Sequence, residues 1–442
     1  MPKRDSAAPG GLSVFYALLV TETVSQIGSR ISGLSVSIAV FQETGHATPL
    51  ALVAFFTAIP AILAGGLFGA LADSYDRRRL MMIANLGLVV TNGLLLVSFA
   101  SGAFHLWHLY VLTCASAAFG ALQAPAFMAS ITLLVPDRHR DRANAILQLS
   151  GPAAGVVAPG IAGLLYVLIG VVGAITINIA TFILAILVLL MVSIPMPART
   201  ADGRSLGGSL WRRVFDGFRY LGARPILLSF CLYVALVNFL TASAGVLRTP
   251  YILDRTGGTA TLGLVLGAFN AGAVTGAIVM GLWGGTRPRI HTVMLGLIMT
   301  SCSLILSGIA RAPVTLGVSF FLSMFAGPMV TAACFSVLQA KVAPDVQGRV
   351  FAALSQLSAL LTPGAYLIAG PLADKVFEPA VHRPAWRAVE WMVGAGHGAG
   401  IGLMLVIIGT LCGATSLIAY ALPAIRRIEV ILPDYEAATQ PA

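Results

Sequence analysis

The stretch GGLFGALADSYDRRRL, residues 65–80, sets a glycine-rich apolar run directly against two aspartates, three consecutive arginines and a leucine. Gly65, Gly66 and Gly69 are small residues of the kind that let helices approach closely in lipid. Asp73 falls at the C-terminal end of that run, where a helix macrodipole is already negative, so its carboxylate needs a compensating positive group. Arg77, four residues on, is one candidate. The positive N-terminal end of a helix from the opposite half of the chain is the other, and it makes this loop a latch; the helix beginning near Arg349 reaches the same side of the membrane. Arg77, Arg78 and Arg79 form the basic cluster expected at the cytoplasmic end of a membrane helix.

The surrounding chain is built in the same way. Of its 442 residues 57% are hydrophobic and only 10% charged, with a mean hydropathy of +0.90. A water-soluble domain carries about a quarter charged residues, so a soluble globular enzyme is excluded. At about 20 residues per span, the length accommodates about a dozen membrane helices with short connections. The 47 glycines and 23 prolines lie inside apolar runs, as helices tolerate in lipid when neighbours satisfy the freed backbone. A net charge of +10 could suggest nucleic acid, but the basic residues sit in short clusters between apolar stretches and form no continuous face, so no nucleic-acid partner is expected. The five cysteines fall in apolar segments with no CxxC pair and no metal-ligand spacing, which predicts free, buried thiols. The apolar run after MPKRDSAAPGG continues to about Phe41, longer than a signal-peptide core, and is expected to stay as the first span.

Charge clusters and Gly/Pro punctuation delimit six spans: Leu12 to Phe41, Pro49 to Ala72, Leu80 to Ala100, Trp107 to Val135, Asn144 to Leu168 and Val171 to Val192. Six more follow: Pro225 to Leu253, Thr261 to Gly284, Ile290 to Ile309, Pro313 to Leu338, Val350 to Leu372 and Gly400 to Ile425. The expected fold is an all-α membrane protein, two pseudo-symmetric six-helix bundles over residues 1–194 and 225–442 joined by a linker over 195–224. With both termini and the even loops inside, 20 of the 27 Lys and Arg face the cytoplasm, five face outward, and Arg30 and Arg248 lie within spans. In the linker Leu210, Trp211, Val214, Phe215, Phe218 and Leu221 recur at helical spacing opposite Arg212, Arg213 and Arg219, an amphipathic helix on the inner membrane surface. Pro136, Asp137, Ala145, Gln148, Leu149 and Ser150 recur as Pro344, Asp345, Ala353, Gln356, Leu357 and Ser358, each pair 208 residues apart. A parallel repeat of six helices with a binding site between the halves is a recurring transporter plan.

The 65–80 stretch resembles the loop signature of the major facilitator superfamily: a glycine, Leu-Ala-Asp, a basic triplet and a leucine. Ser74 and Asp76 stand where that signature often has a basic residue and a glycine. The matching place in the second half keeps Gly281 and Arg289 but has Gly285 for the aspartate, so one latch is complete. Gly155, Ala158, Pro159, Ala162 and Gly163 are similar to the glycine and proline pattern of antiporters in this superfamily, with alanines at two positions. Close helix packing alone accounts equally for those small residues. TGHATPLALVAFFTAIPAILAGGLFGALADSYDRRRLM, QAPAFMASITLLVP, PDVQGRVFA and AGPLADKVFEP resemble the drug and siderophore exporter branch that includes macrolide efflux proteins and enterobactin exporters. The fourth-span arginine of many drug antiporters is missing between Cys114 and Gly120.

Glu22 is the one acidic residue well inside a predicted span, with Gln26 and Arg30 at four-residue steps after it, and ionisable groups in the membrane are functional candidates. Glu22 can alternate between a protonated form and a pair with Arg30, which makes both proton-coupling candidates; a permanently ionised structural pair is the other reading. Gln26, Asn238 and Asn270 could offer hydrogen bonds to cargo, and Phe127 and Phe325, with Phe321, Phe335, Met128 and Met324, a greasy cavity lining; interhelical hydrogen bonding for Asn238 and Asn270 and lipid-facing packing for the Phe and Met residues are the other readings. Arg248, nearer the outer end, is expected to snorkel to water, and His105 and His108 around Trp107 to anchor an interface. No phosphate loop, Gly-x-Ser-x-Gly elbow or HExxH motif is present, so an enzyme is not expected. The resemblance implies a secondary exporter of an amphiphilic small molecule in exchange for protons, monomeric, without cofactor, in a bacterial cytoplasmic membrane. In it Gly69, Asp73 and Arg77 to Arg79 latch one access state, and Gly155, Pro159 and Gly163 let the bundles slide. Uptake on the same scaffold, or a non-transporting membrane sensor acting through the 195–224 helix, are the other readings.

Overall fold

The computed structural model describes residues 11–135, 140–192, 222, 225–341, 344–426 and 428–431. Every regular element among the described residues is helical. In chain order these are α1 (Gly11–Thr44), α2 (Ala47–Ser74), α3 (Arg77–Ala100), α4 (Leu106–Leu134) and α5 (Arg140–Met191), then α6 (Pro225–Thr256), α7 (Thr259–Trp283), α8 (Ile290–Ile309), α9 (Pro313–Lys341) and α10 (Pro344–Leu372). A short α11 (Arg387–Val393) precedes α12 (Ala399–Ala421). Among the described residues nine segments are long and apolar enough to cross a membrane. Counting the two arms of α5 separately and adding α2 and α10 gives the twelve spans read from the sequence.

The expected loop between the fifth and sixth spans is a single residue. Gly170, at φ 65° and ψ −172°, breaks α5 into its two arms, a conformation that only glycine adopts without strain. Asp76 starts α3: its carboxylate accepts from Arg78 N at 2.9 Å and Arg79 N at 3.4 Å, filling two of the orphan donors of the first turn. Gly284, at φ 75°, ends α7 with its N–H on Met280 O at 2.8 Å.

Residue contacts divide the chain into two compact units, Met1–Gly45 with Leu52–Gly207 and His46–Ala51 with Gly208–Ala442. In the first, α1 lies along α5, and α3 packs on α4 and α5. Its core gathers Phe15, Leu18, Leu80, Met81, Ala126 and Leu189. In the second, α7 lies along α9, α8 packs on α9 and α12, and α6 on α10. Phe230, Ile290, Val293, Val337 and Leu338 lie at its centre.

Backbone-to-backbone approach is closest between α7 and α9, where a Cβ on Gly272 or Gly276 would fall 2.2 Å from Phe321 O or 2.0 Å from Phe325 O. Without a hydrophobic drive between helices in lipid, such small-residue seams are where van der Waals packing is gained. Three basic side chains serve as helix caps. Arg255 donates to Val393 O and Arg311 to Trp391 O at 3.3 Å, at the carbonyl end of α11, and Lys341 donates to Glu429 O at 2.6 Å. The Glu429 carboxylate in turn accepts from Ile290 N at 3.1 Å, capping α8.

The segment AGPLADKVFEP acts entirely within the second unit. Asp374 accepts from Ala47 N at 2.8 Å, Thr48 N at 2.7 Å and the Thr48 hydroxyl, which is why the first turn of α2 is counted with that unit. Gly370 gives the turn room, since a Cβ there would lie 2.6 Å from Ala51 Cβ. Glu378 accepts from Ile401 N at 2.9 Å, capping α12. Burial pushes the Glu378 carboxyl above the ordinary carboxylate range, and its bonds from the Ile401 and Gly398 backbone pull it part of the way back.

All five cysteines are free; Cys231, Cys334 and Cys412 are buried and Cys114 is half-buried, whereas Cys302 is exposed, against the expectation of burial throughout. Its face of α8 is turned away from the core: hydrophobicity decides that a residue is in the membrane, not which side it faces. The amphipathic helix expected over 195–224 lies, apart from Gly222, outside the described residues.

Candidate functional site

Helix periodicity puts Glu22, Ser25, Gln26, Ser29 and Arg30 of α1 on one face, and that face lines a cavity of about 560 Å³ inside the first unit. The opposite walls supply Asn92 from α3, Thr113, Ser116 and Gln123 from α4 and Asn178 from α5. Glu22 is held by two amides: Gln123 Nε2 donates to Oε2 at 2.7 Å and Gln26 Nε2 to Oε1 at 3.4 Å. Deeper in the unit Ser29 Oγ donates to Asn178 Oδ1 at 3.2 Å, and Asn178 Nδ2 donates to Asn92 Oδ1 at 3.2 Å. Asn92 Nδ2 continues to Leu88 O at 2.9 Å, and Ser116 Oγ donates to Thr91 Oγ1 at 2.7 Å. The result is a carboxylate held, among the described residues, by neutral donors, beside a ladder of amides and hydroxyls, in a volume within the range of small-molecule sites. Such a wall can take up a proton, oppose a cationic group, and hydrogen-bond polar parts of a ligand that is otherwise apolar.

The structure therefore brings Glu22, Gln26 and Arg30 to one cavity but not into the arrangement expected. Arg30 lines the cavity without pairing with Glu22; among the described residues the ion pair formed is Arg79 with Asp76, at 3.7 Å. Gln123 takes the place expected of the guanidinium. Phe127 is a core residue, 5% exposed and packed with Phe15 and Leu80, and it lines neither of the two cavities described here. Asn270 Nδ2 turns back on Leu266 O at 2.8 Å within its own helix. Phe325 stacks on Phe321, with ring centroids 6.1 Å apart, and neither lines a cavity described here.

Asn238 does line a second, smaller cavity of about 190 Å³ inside the second unit, with Arg248 and Met324. Arg248 does not reach for water, as the sequence suggested: its guanidinium carbon lies 3.6 Å from the Phe269 ring centroid, and Nε is buried. His108 Nδ1 lies 3.0 Å from Ser98 Oγ and His105 Nδ1 3.0 Å from Ala103 O. Among the described residues no group of His, Cys, Asp and Glu could hold a metal ion.

Of the latch residues, the surroundings of Gly69 and the side chain of Asp73 are not among those described. Arg77 is half-buried and Arg79 is exposed beside Asp76. Arg78 donates from Nε to Leu189 O at 2.7 Å and from Nη2 to Leu190 O at 2.9 Å, closing the carbonyl end of α5 in its own unit. In the antiporter-like pattern Ala158 and Ala162, both 0% exposed, pack with Ile31 of α1 and Ala174 of α5's second arm. Gly155, Pro159 and Gly163 are buried alongside. The small residues thus let α1 lie against α5, and it is α1 that carries Glu22.

Residues 18–366 match the family model described as Major Facilitator Superfamily. The chain is 23% identical over 370 residues to macrolide efflux protein A of Streptococcus pyogenes, covering 82% of this chain and 90% of that protein. It is 25% identical over 430 residues to the multidrug efflux pump Tap of Mycobacterium bovis, covering 94% of each. A crystal structure of a bacterial homolog to the human lysosomal transporter Spinster, inward-facing and unoccupied, superposes with a TM-score of 0.71 at 15% identity, covering 95% of this chain and 98% of that one. With the family match extending over most of the twelve-helix chain, the protein belongs to the major facilitator superfamily of membrane transporters.

Proposed function

We propose that the protein is a secondary exporter that expels an amphiphilic small molecule, of the drug, macrolide or siderophore kind, in exchange for protons and by alternating access. It works as a monomer in a bacterial cytoplasmic membrane with both termini inside, in contact with membrane lipids, and uses the proton gradient with no cofactor. The observation that carries this reading is the polar cavity of the first unit, where the Glu22 carboxylate is held by Gln123 and Gln26 and, among the described residues, by no cation. A group so placed can be neutralised either by a proton or by a basic cargo group, and competition between the two is the elementary requirement of antiport. The efflux relatives support the outward direction. Asp73 with Arg77 to Arg79 serves as the latch of one access state, and Gly155, Pro159 and Gly163 as the seam along which α1 moves.

Everted vesicles that acidify on energisation test this. Challenged with macrolides, siderophores and peptide-like natural products, vesicles carrying the wild type release protons when a cargo is added, and Glu22→Gln vesicles do not. Unchanged release in the variant removes Glu22 from coupling, and cells that accumulate the compounds when they carry the protein overturn export.

A further inference from the structure

Among the described residues Arg248 is a cation without a counter-ion, facing a cavity with no acid in its described lining. It sits on α6, and the cavity of about 190 Å³ beside it is lined by Asn238, Thr241, Phe269, Thr300, Phe320 and Met324 among others, with no Asp or Glu in the lining. Among the described residues Arg248 makes no ion pair, and its buried Nε has no hydrogen-bond partner. Two aromatic faces flank the guanidinium, Phe269 at 3.6 Å and Phe320 at 5.6 Å from its carbon, which offsets part of the cost of burial but leaves the planar fork of N–H donors unfilled.

The hydroxyls nearby do not fill it. Thr241 donates to Val237 O at 2.9 Å and Thr300 to Gly296 O at 3.0 Å; their oxygens keep lone pairs, but among the described residues neither accepts from the guanidinium. A buried charge left uncompensated is strongly unfavourable, and a site keeps one where a ligand completes it. Its donors match a carboxylate or a phosphate oxygen pair, and its walls match an apolar or aromatic body.

We infer that this pocket of the second unit binds an anionic group, a carboxylate or phosphate, carried on an apolar aromatic-sized body, with Arg248 as the bidentate donor. The inference goes beyond export and does not need it, because it concerns equilibrium binding.

The test uses the full-length protein in phosphatidylcholine nanodiscs, with tritiated 1-naphthoate as probe and 1-naphthylmethanol and 1-naphthylmethylamine as competitors of the same body. In the wild type naphthoate binds about tenfold or more tightly than the neutral alcohol, as expected of a charge-assisted bidentate contact, and the amine competes least. Arg248→Met abolishes the preference and Arg248→Lys keeps only part of it. Equal affinity for naphthoate and the alcohol in the wild type overturns the inference whatever the variants do, and so does an unchanged preference in Arg248→Met. Adding phosphatidylglycerol to the discs separates the two sources of such a group. Displacement of naphthoate assigns the pocket to a lipid headgroup, and undiminished binding assigns it to a free amphiphile; either result supports an anion site at Arg248.

Discussion

Gly276→Ala tests whether the α7–α9 seam is as tight as its geometry implies. The added Cβ would lie 2.0 Å from Phe325 O, 2.9 Å from its carbonyl carbon and 3.1 Å from its Cα. All three obstacles are backbone, so no rotamer change relieves them. Carbon–oxygen contacts settle near 3.3 Å or beyond, so the helices must part locally by about 1.3 Å. Gly272, one turn away and 2.2 Å from Phe321 O on the same criterion, would lose its contact as the seam opens. Replacing a mid-helix glycine by alanine gains roughly 0.5–1 kcal/mol of helix preference, whereas overpacking costs about 1–3 kcal/mol. A net loss of about 1–2 kcal/mol follows. At roughly 2–4 °C per kcal/mol for a body of this size, the melting temperature falls by roughly 2–8 °C. Gly281→Ala in the same helix, where a Cβ meets nothing within 4 Å, gives only the propensity gain and should melt at or slightly above the wild type. A thiol-reactive dye reports unfolding in detergent, since Cys231, Cys334 and Cys412 are buried in the fold. Opposite signs at positions 276 and 281 are expected. A Gly276→Ala protein that melts at or above the wild type, or two variants that fall equally, refutes the reasoning.

Gln123→Leu removes the 2.7 Å donor to Glu22 and should lower cargo-driven proton release to the level of Glu22→Gln, with the double variant no worse than either single one, because groups sharing one network are not additive; additive losses would separate the two roles. Asp374→Ala leaves two backbone N–H groups and a hydroxyl of the first turn of α2 without their acceptor, a loss of about 1–2 kcal/mol seen as a lower melting temperature, with Asp374→Asn restoring part of it. Glu378, whose carboxyl is raised by burial, holds more protons folded than unfolded just above the ordinary carboxylate range. Stability therefore declines as pH rises through that window, and Glu378→Gln should flatten the dependence of melting temperature on pH there.

The sequence was most legible where lipid leaves the chain no choice. Long apolar runs must be helices, and charged or Gly-rich breaks must be their ends, so the span limits fall close to the helices observed, down to Gly170 standing between the fifth and sixth. What it concealed are meetings between helices. Arg78 looks like part of a latch in its own loop, yet it caps carbonyls 111 and 112 residues further on, a role that needs α5 to end beside α3. Gln123, Asn92 and Asn178 were overlooked as partners of the α1 face because the residues of one span do not show which other helix they will meet. For Arg248 it was the direction around the helix that the sequence did not show, and direction is what places the guanidinium over Phe269. The same ambiguity misplaced Phe127.

Apolar residues in lipid carry no such direction, because a leucine is equally content against tails or against a neighbour. Polar ones do, because an amide or hydroxyl facing hydrocarbon loses its partners. On α1 the polar positions 22, 25, 26, 29 and 30 all fall within one turn-spaced stripe. On α4, Thr113, Ser116, Gly120 and Gln123 repeat the spacing, and these are the residues that line the cavity opposite. Two helices with matching stripes in one bundle gain most by turning them toward each other, and a space between them that side chains do not fill becomes a polar cavity by default. The position of Glu22 follows from that requirement alone: the stripe that hides its neighbours from lipid also presents its carboxylate to whatever enters.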